Sequence, residues 1–164
     1  MARLGGVFFD SSVLLGGLID LGPASRAAQQ VYDLVAAGRL GRPRTAWQCC
    51  LEFYSVATRL PEEFRLTPKD AVTLLEQEVL SRLDVFELPA RLRRSLLADV
   101  AREGVRGGRL YDAHIAAVAR ASGSRVVVTE NIRHFAGLEA VGMRVWSSTA
   151  LLSELRKAGP RRRS

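Results

Sequence analysis

The chain has 164 residues, near the commonest size of a single domain, and 48% of them are hydrophobic, which suffices for one apolar core. Its 24 Lys and Arg residues exceed its 17 Asp and Glu residues, and the net charge of +7 favours a polyanionic partner without identifying it. No run of about 18 uncharged apolar residues and no cleavable leader can be recognised, and the only cysteines are the neighbours Cys49 and Cys50, so we expect a soluble, cytoplasmic protein with no membrane segment.

The positive charge is concentrated at the carboxyl terminus. Five basic residues and no acid lie within residues 156–164, namely Arg156, Lys157, Arg161, Arg162 and Arg163. Subtracting these five charges from the net +7 leaves +2 for the rest of the chain. We predict one domain over residues 1–155 and a basic, disordered tail over residues 156–164. A tail that contacts phosphates is the alternative, because blocks of like charge serve either purpose.

The first predicted element is a short apolar strand over residues 7–9 that stops at Asp10. Ser11 or Ser12 is then a suitable N-cap for a helix over residues 13–19. Apolar residues recur at helical spacing from residue 27 to residue 35, and Gly38 is a suitable helix terminator. The amino-terminal quarter of the chain therefore predicts one strand followed by two helices.

The middle of the chain is predicted to be mainly helical. Thr45 and Gln48 form a capping-box pattern, and the apolar periodicity behind them predicts a helix that carries Glu52. Thr67 followed by Pro68 predicts the start of another helix, which extends to about residue 82. Residues 83–88 are the best candidate for a strand nearby, and a helix is predicted from about residue 90 to residue 103.

The last third predicts two strands, each with a helix beside it. Asp112 lies in the first turn of a helix that ends near Gly123, and residues 126–128 form an apolar strand that ends at Thr129. A short strand over residues 143–146 precedes a last helix capped by Ser148 or Thr149. Because helical crossovers of this length connect parallel strands, the order predicts an α/β fold, a three-layer α/β/α sandwich around a mostly parallel sheet.

Several acidic side chains fall where such a fold places its sites. Ligands bind in the crevice beyond the carboxyl ends of parallel strands, and Asp10 and Glu130 follow predicted strands. The partial positive charge at a helix start favours an ionised Asp112. Each acid also has a purely structural explanation. The aspartates can be helix caps, and Glu52 and Gln48 can lie together on a solvent-exposed polar face of their helix.

Four segments resemble the motifs of the PIN domain, and of the VapC-like ribonuclease toxins within it. Residues 8–15 (FFDSSVLL) resemble the first motif and residues 51–59 (LEFYSVATR) the second. Residues 111–117 (YDAHIAA) resemble the third and residues 128–135 (VTENIRHF) the fourth. The similarity extends over about residues 7–155, and the four motifs occur in the family's order.

The resemblance implies a metal-dependent endoribonuclease, using Mg²⁺ or Mn²⁺, that hydrolyses RNA to a 5′-phosphate and a 3′-hydroxyl. The catalytic and metal-binding residues carried over from the motifs are Asp10, Glu52, Asp112 and Asn131, with Glu130 as a substitute metal ligand. Asn131 stands where the family often has a fourth acid. Thr129 is expected to hydrogen-bond one of the ligand carboxylates. The resemblance also implies a strand just before Glu52, where residues 41–44 are unusually basic.

The expected partners are RNA, a cognate antitoxin protein of a type II toxin–antitoxin pair, and a second copy of the chain in a homodimer. Arg42, Arg44 and Arg133 are candidates for gripping phosphates near the crevice. Two other functions are compatible with parts of the sequence. An aspartyl phosphotransferase of the haloacid-dehalogenase type also begins with a strand ending in Asp, but it needs an acid where this chain has Ser12. A PIN domain of weak or no activity could instead bind RNA or a partner.

Overall fold

The computed structural model describes Leu4 and residues 6–159. The strands in this part of the chain are β1 (Val7–Phe9), β2 (Arg44–Ala46), β3 (Asp84–Phe86), β4 (Val126–Val128) and β5 (Arg144–Trp146). Its α-helices are α1 (Ser11–Leu18), α2 (Arg26–Ala36), α3 (Trp47–Ala57), α4 (Pro68–Leu74), α5 (Arg93–Arg102), α6 (Arg109–Ala121), α7 (Ile132–Phe135) and α8 (Ser148–Ala158). A π-helical segment, Leu75–Leu80, continues α4, and a short 3₁₀ helix, Ala90–Leu92, leads into α5.

The five strands form one parallel sheet in the order β3-β2-β1-β4-β5. Helix α1 contacts α2 and α3, and α2 contacts α8, whereas α6 contacts α5 and α7. These two groups of helices are the outer layers around the sheet. The predicted α/β/α sandwich with a central parallel sheet is therefore confirmed.

The strand order places a topological switch point between β1 and β4. After β1 the chain moves outward through β2 to β3, and it then returns to the other side of β1 to form β4. Connections that leave neighbouring strands in opposite directions open a crevice at the carboxyl ends of those strands. Asp10 and Thr129 directly follow β1 and β4, and the ladder between the two strands continues to the backbone N–H of Asp10, which donates to the Val128 carbonyl at 3.0 Å.

The start of α1 is held by close packing beneath it. Phe9 at the end of β1 is fully buried, and its ring centroid lies 6.0 Å from that of Tyr32 on α2. A Cβ atom at Gly17 would overlap the ring of Tyr32, so glycine allows α1 to approach α2 closely. This packing keeps Ser11 and Ser12, in the first turn of α1, next to the crevice.

Strand β2 was not predicted from the periodicity of the sequence, which assigned Thr45 to a helix cap. In the structure Thr45 lies within β2, and its buried Oγ1 donates to the Phe9 carbonyl of β1 at 2.8 Å. Helix α3 begins two residues later, at Trp47, so the capping-box interpretation was wrong. The strand that the family resemblance implied before Glu52 is present despite its basic first residue, Arg44.

Helix-boundary signals had mixed outcomes. Thr67 is the N-cap of α4, and its Oγ1 accepts from the Asp70 N–H at 3.1 Å, as predicted. The cap of α8, however, is Ser147, one residue before the predicted pair. Helix α1 begins at Ser11, with Asp10 in the N-cap position but making no side-chain capping bond. The carboxylate of Asp10 is therefore not a helix cap.

The last described helix continues into the segment assigned to the tail. Helix α8 ends at Ala158, so Arg156 and Lys157 lie in its last turn. Arg161, Arg162 and Arg163 lie outside the described residues. Among the helices that the structure describes, none has the length and apolar character needed to span a bilayer.

Candidate active site

Asp10 is the most enclosed acid at the crevice, with 3% of its surface exposed. Its Oδ2 accepts hydrogen bonds from Thr129 Oγ1 at 2.8 Å and from Ser12 Oγ at 2.9 Å. The two hydroxyls come from opposite sides of the switch point, one after β4 and one in α1. A buried carboxylate needs such donors, because burial without hydrogen bonds penalises its charged form. The predicted hydrogen bond between Thr129 and a candidate ligand is confirmed.

Glu52 is joined to the same region through Ser11. The Ser11 hydroxyl donates to Glu52 Oε2 at 2.7 Å and lies 3.4 Å from Asp10 Oδ1, so it links the two acids. Gln48, one turn earlier on α3, donates to Glu52 Oε1 at 3.3 Å. The Glu52 carboxylate is therefore partly buried and held from two sides, unlike an acid on a solvated helical face. Burial lowers the pKa of His114 on α6, and the charge of Glu52 opposes that shift.

Asp112 lies in the first turn of α6. Its Oδ2 lies 3.0 Å from His134 Nδ1 and 3.7 Å from Arg109 Nε, and 24% of its side chain is exposed. Burial raises the pKa of Asp112 above its ordinary value. The charge of His134 opposes this shift and that of Asp10 adds to it.

Glu130 and Asn131 behave differently although they are adjacent. Glu130 Oε1 accepts from the Ser148 N–H at 3.0 Å, at the start of α8, so this carboxylate stabilises a helix N-terminus. Asn131 is exposed and precedes α7, with its backbone N–H donating to Thr129 Oγ1 at 3.0 Å. Thr129 thus orders both Asp10 and the backbone of Asn131. Whether either side chain binds a metal stays a prediction.

The donor chemistry of this site fits a hard divalent cation, since it is made of carboxylate and amide oxygens. Among the described residues, no group of three His, Cys, Asp or Glu side chains is arranged closely enough to hold an ion. Mg²⁺ commonly uses only one or two protein carboxylates and completes its coordination with water and substrate phosphate.

Arg42 and Arg44 do not lie near the crevice, so that part of the sequence interpretation was wrong. Arg42 Nε pairs with Asp84 at 2.9 Å, and Arg44 donates to the Ser122 carbonyl at 2.8 Å. Both contacts are at the amino ends of strands, opposite the edge that carries Asp10, because all the strands run in the same direction. Arg133, in contrast, is exposed on α7 and lines a groove beside His134.

Two participants could not have been found by sequence reasoning alone. The sequence patterns give Ser11 only the role of a helix cap or a motif residue, but in the structure it connects Asp10 with Glu52. His134 carried no assigned role, yet its ring contacts Asp112 from α7. No periodic pattern marks either contact, since each joins residues from separate parts of the chain.

Fold and site together define a parallel α/β domain whose strand ends carry acids. The sequence matches the family model described as PIN domain over residues 6–133, and the chain belongs to this family. It is 35% identical over 94 residues to ribonuclease VapC27 of Mycobacterium tuberculosis, an alignment of 57% of this chain and 66% of that protein. The chain thus aligns with slightly less than two thirds of that relative's length. It is a PIN domain related to the VapC ribonucleases.

Solved structures of low sequence identity share the fold. DNA-bound VapBC of Salmonella typhimurium has a TM-score of 0.61 and 23% identity, covering 87% of this chain and 98% of that one. VapC20 of Mycobacterium tuberculosis, a sarcin-ricin loop cleaving toxin, has a TM-score of 0.57 and 17% identity, covering 74% and 87%. FitAcB of Neisseria gonorrhoeae also reaches 0.57 at 17% identity, covering 87% and 98%.

Proposed function

We propose that this PIN domain is an Mg²⁺- or Mn²⁺-dependent endoribonuclease and the toxin of a type II toxin–antitoxin pair. The observation that carries the proposal is the Asp10 centre, in which a carboxylate at the switch point is buried, held by two hydroxyls and linked to Glu52 by Ser11. Burying a carboxylate opposes folding, so a buried acid at the end of a strand is a candidate functional group. The similarity to a ribonuclease supports RNA as the substrate.

The proposed reaction is hydrolysis of an RNA phosphodiester. The oxygen of a water molecule bonds to phosphorus, the bond from phosphorus to the 3′ oxygen breaks, and that oxygen takes a proton, which leaves a 5′-phosphate and a 3′-hydroxyl. Bound Mg²⁺ or Mn²⁺ supplies Lewis acidity, lowers the pKa of water and neutralises phosphate charge.

The chain's own residues would orient that chemistry. Asp10, Glu52 and Asp112 would hold the ion once the less constrained residues of α6 and α7 have adjusted around it, with Asn131 as a neutral oxygen donor. Ser12 and Thr129 fix the rotamer of Asp10, and Ser11 does the same for Glu52. Arg133 on α7 is positioned to attract phosphates toward Asp112. The expected partners are therefore RNA, an antitoxin that covers this crevice, and a second copy of the chain.

The test is cleavage of a labelled single-stranded RNA by wild type and Asp10→Asn, with Mg²⁺, Mn²⁺ or a chelator. Asparagine can still accept the hydroxyl bonds, so we expect an intact fold and a rate lower by at least about 10³-fold, since several kcal/mol of transition-state stabilisation depend on the ion. Asp112→Asn should be similarly inactive. Asp33→Asn, at an exposed position on α2, is the matched control and should cut normally. Equal rates for Asp10→Asn and wild type would contradict the assignment.

A second candidate is a PIN domain that binds RNA or a partner without cutting. The neutral Asn131 and the lack of a three-residue ion-binding group among the described residues favour it. A melting temperature measured with and without Mn²⁺ separates the two, because an ion that binds only the folded state raises it. No shift and no cleavage in either metal would support the binding module.

A further inference from the structure

A second groove lies one helical turn from Glu52. It is formed by α3, α5, α6 and the segment after β3, and its lining includes Trp47, Gln48, Phe86, Arg93, Leu97 and His114. We call this the Trp47 groove. Gln48 belongs to both regions, since it lines the groove and its Nε2 donates to Glu52 at 3.3 Å. Anything bound in the Trp47 groove would therefore lie next to the proposed cleavage site.

The Trp47 groove presents aromatic and polar groups together. Trp47 is 43% exposed and Leu97 60% exposed, which are high values for apolar side chains that border a concave site. Phe86 adds a second ring, while Gln48 and His114 provide side chains with hydrogen-bonding groups. Aromatic side chains that stack on splayed bases, with polar groups for the base edges, are the usual means of recognising single-stranded RNA.

The size of the groove also fits a nucleobase. Its volume, about 330 Å³, is at the lower end of the range of about 300–1,000 Å³ for sites that take small ligands. Arg93 lines the groove, and Arg91 and Arg94, its neighbours in the sequence, are also exposed. Glu87 lines the groove as well, so the two charged residues of the lining balance each other. An exposed arginine beside an aromatic floor can contact the phosphate of a base that stacks there.

We propose that the Trp47 groove binds one unpaired base of the RNA substrate, which stacks on the Trp47 indole while the neighbouring arginines contact the flanking phosphates. This inference rests on the proposed function for the identity of the chain that enters the site. It favours a single-stranded or looped RNA as the substrate, because a paired base would have to be unpaired and unstacked before it could enter the groove.

The test uses the fluorescence of Trp47. The chain has two tryptophans, so Trp146→Phe leaves Trp47 as the only one. With Asp10→Asn also present to prevent cleavage, titration with a short single-stranded oligoribonucleotide should quench the indole. An oligonucleotide of the same length with abasic positions keeps the phosphates but has no base to stack, and should quench far less.

Kinetics supply the second readout. Trp47→Ala should raise KM about 5- to 150-fold, the fold-change that corresponds to one lost base stack, and should change kcat little. Trp47→Phe should restore most of the affinity because it keeps an aromatic face. The control is Leu51→Ala, which removes another exposed apolar side chain from α3 outside the groove and should leave KM unchanged.

The outcomes separate this inference from the proposed function. If wild type cuts RNA but Trp47 fluorescence and KM do not respond, the groove is not a base site and the nuclease assignment stands. If the base quenches Trp47 but no metal restores cleavage, the base site stands and the nuclease assignment fails. If Trp47→Ala changes the molar mass in solution and leaves KM unchanged, the groove is a protein interface and the proposal is overturned.

Discussion

The two sides of the proposed site are built differently. On the β1 side, Asp10 is almost fully buried and receives two hydroxyl hydrogen bonds, and Thr129 is completely buried beside it. On the α6–α7 side, Asp112 is one-quarter exposed, its partner His134 is exposed on a four-residue helix, and Asn131 faces solvent. One side is fixed by the sheet, and the other is held by a few surface contacts.

This difference follows from where each side is attached. Residues that directly follow neighbouring parallel strands are held in place by the hydrogen bonds of those strands. The last of these bonds, from the Asp10 N–H to the Val128 carbonyl, reaches Asp10 itself. Residues in a helical first turn or a short helix have fewer such constraints. We therefore expect the β1 side to be preorganised and the α6–α7 side to adjust when an ion and a phosphate bind.

Among substitutions that test the difference between the two sides, Thr129→Val should have the largest effect on activity. The substitution keeps the shape of the side chain but removes the hydroxyl that donates to Asp10 and accepts from Asn131 N–H. We expect kcat to fall about 10- to 100-fold, the scale seen when residues that orient a metal ligand are lost. The free energy of unfolding should fall by about 1–3 kcal/mol, because buried polar groups lose their partner.

Thr45→Val is the matched control for that experiment. Thr45 is also completely buried and its hydroxyl donates to the Phe9 carbonyl at 2.8 Å, but it makes no bond to an acidic side chain. It should cost stability of the same order and leave kcat within about threefold, less than 1 kcal/mol of barrier. If both variants lose activity equally, the effect of Thr129 is one of stability and the β1 side is not specially organised.

A smaller effect is expected from Asn131→Asp on the exposed side. Adding a negative charge at this exposed position should tighten Mn²⁺ binding about two- to fivefold, since charge interactions at exposed positions are worth about 1 kcal/mol or less. Isothermal titration of both proteins measures this change. Glu130→Gln is the control, because Glu130 Oε1 is engaged with Ser148 N–H. If Glu130→Gln loses much of the Mn²⁺ affinity and Asn131→Asp gains none, Glu130 is the ligand.

The smallest expected effect is a change in thermal stability from Asp112→Asn in the absence of divalent ions. Burial raises the folded-state pKa of Asp112, so ionisation is less favourable in the folded chain than in the unfolded one. Removing the charge should raise Tm by about 1–3 °C at pH 7. The gain should vanish as the pH falls below about 4, where an unfolded aspartate is also protonated. A Tm that drops at pH 7 would show that the contact with His134 stabilises the fold.

Local patterns determined most of the helices and strands, and they placed Asp10 and Thr129 at one edge of the sheet. The apolar runs before Asp10 and Thr129 predict buried strands, and the structure has them as β1 and β4. Because parallel strands end at the same edge, the sequence alone was enough to expect both residues at one crevice. The N-cap at Thr67 and the terminator at Gly38 are equally local, since each depends on the preferences of a few consecutive residues.

Only the tertiary structure decided which distant groups meet. Residues 44–46 carry no strong signal for a strand, and they form β2 because β1 and β3 provide hydrogen-bonding edges on both sides. Because of this strand pairing, Arg44 lies at the edge of the sheet opposite the crevice. The Thr45 hydroxyl donates to the Phe9 carbonyl and does not cap a helix. The Ser11 hydroxyl donates to Glu52, which is 41 positions later in the sequence, because α1 and α3 pack together. Sequence patterns report preferences of neighbouring residues, whereas these contacts depend on how the helices and strands pack.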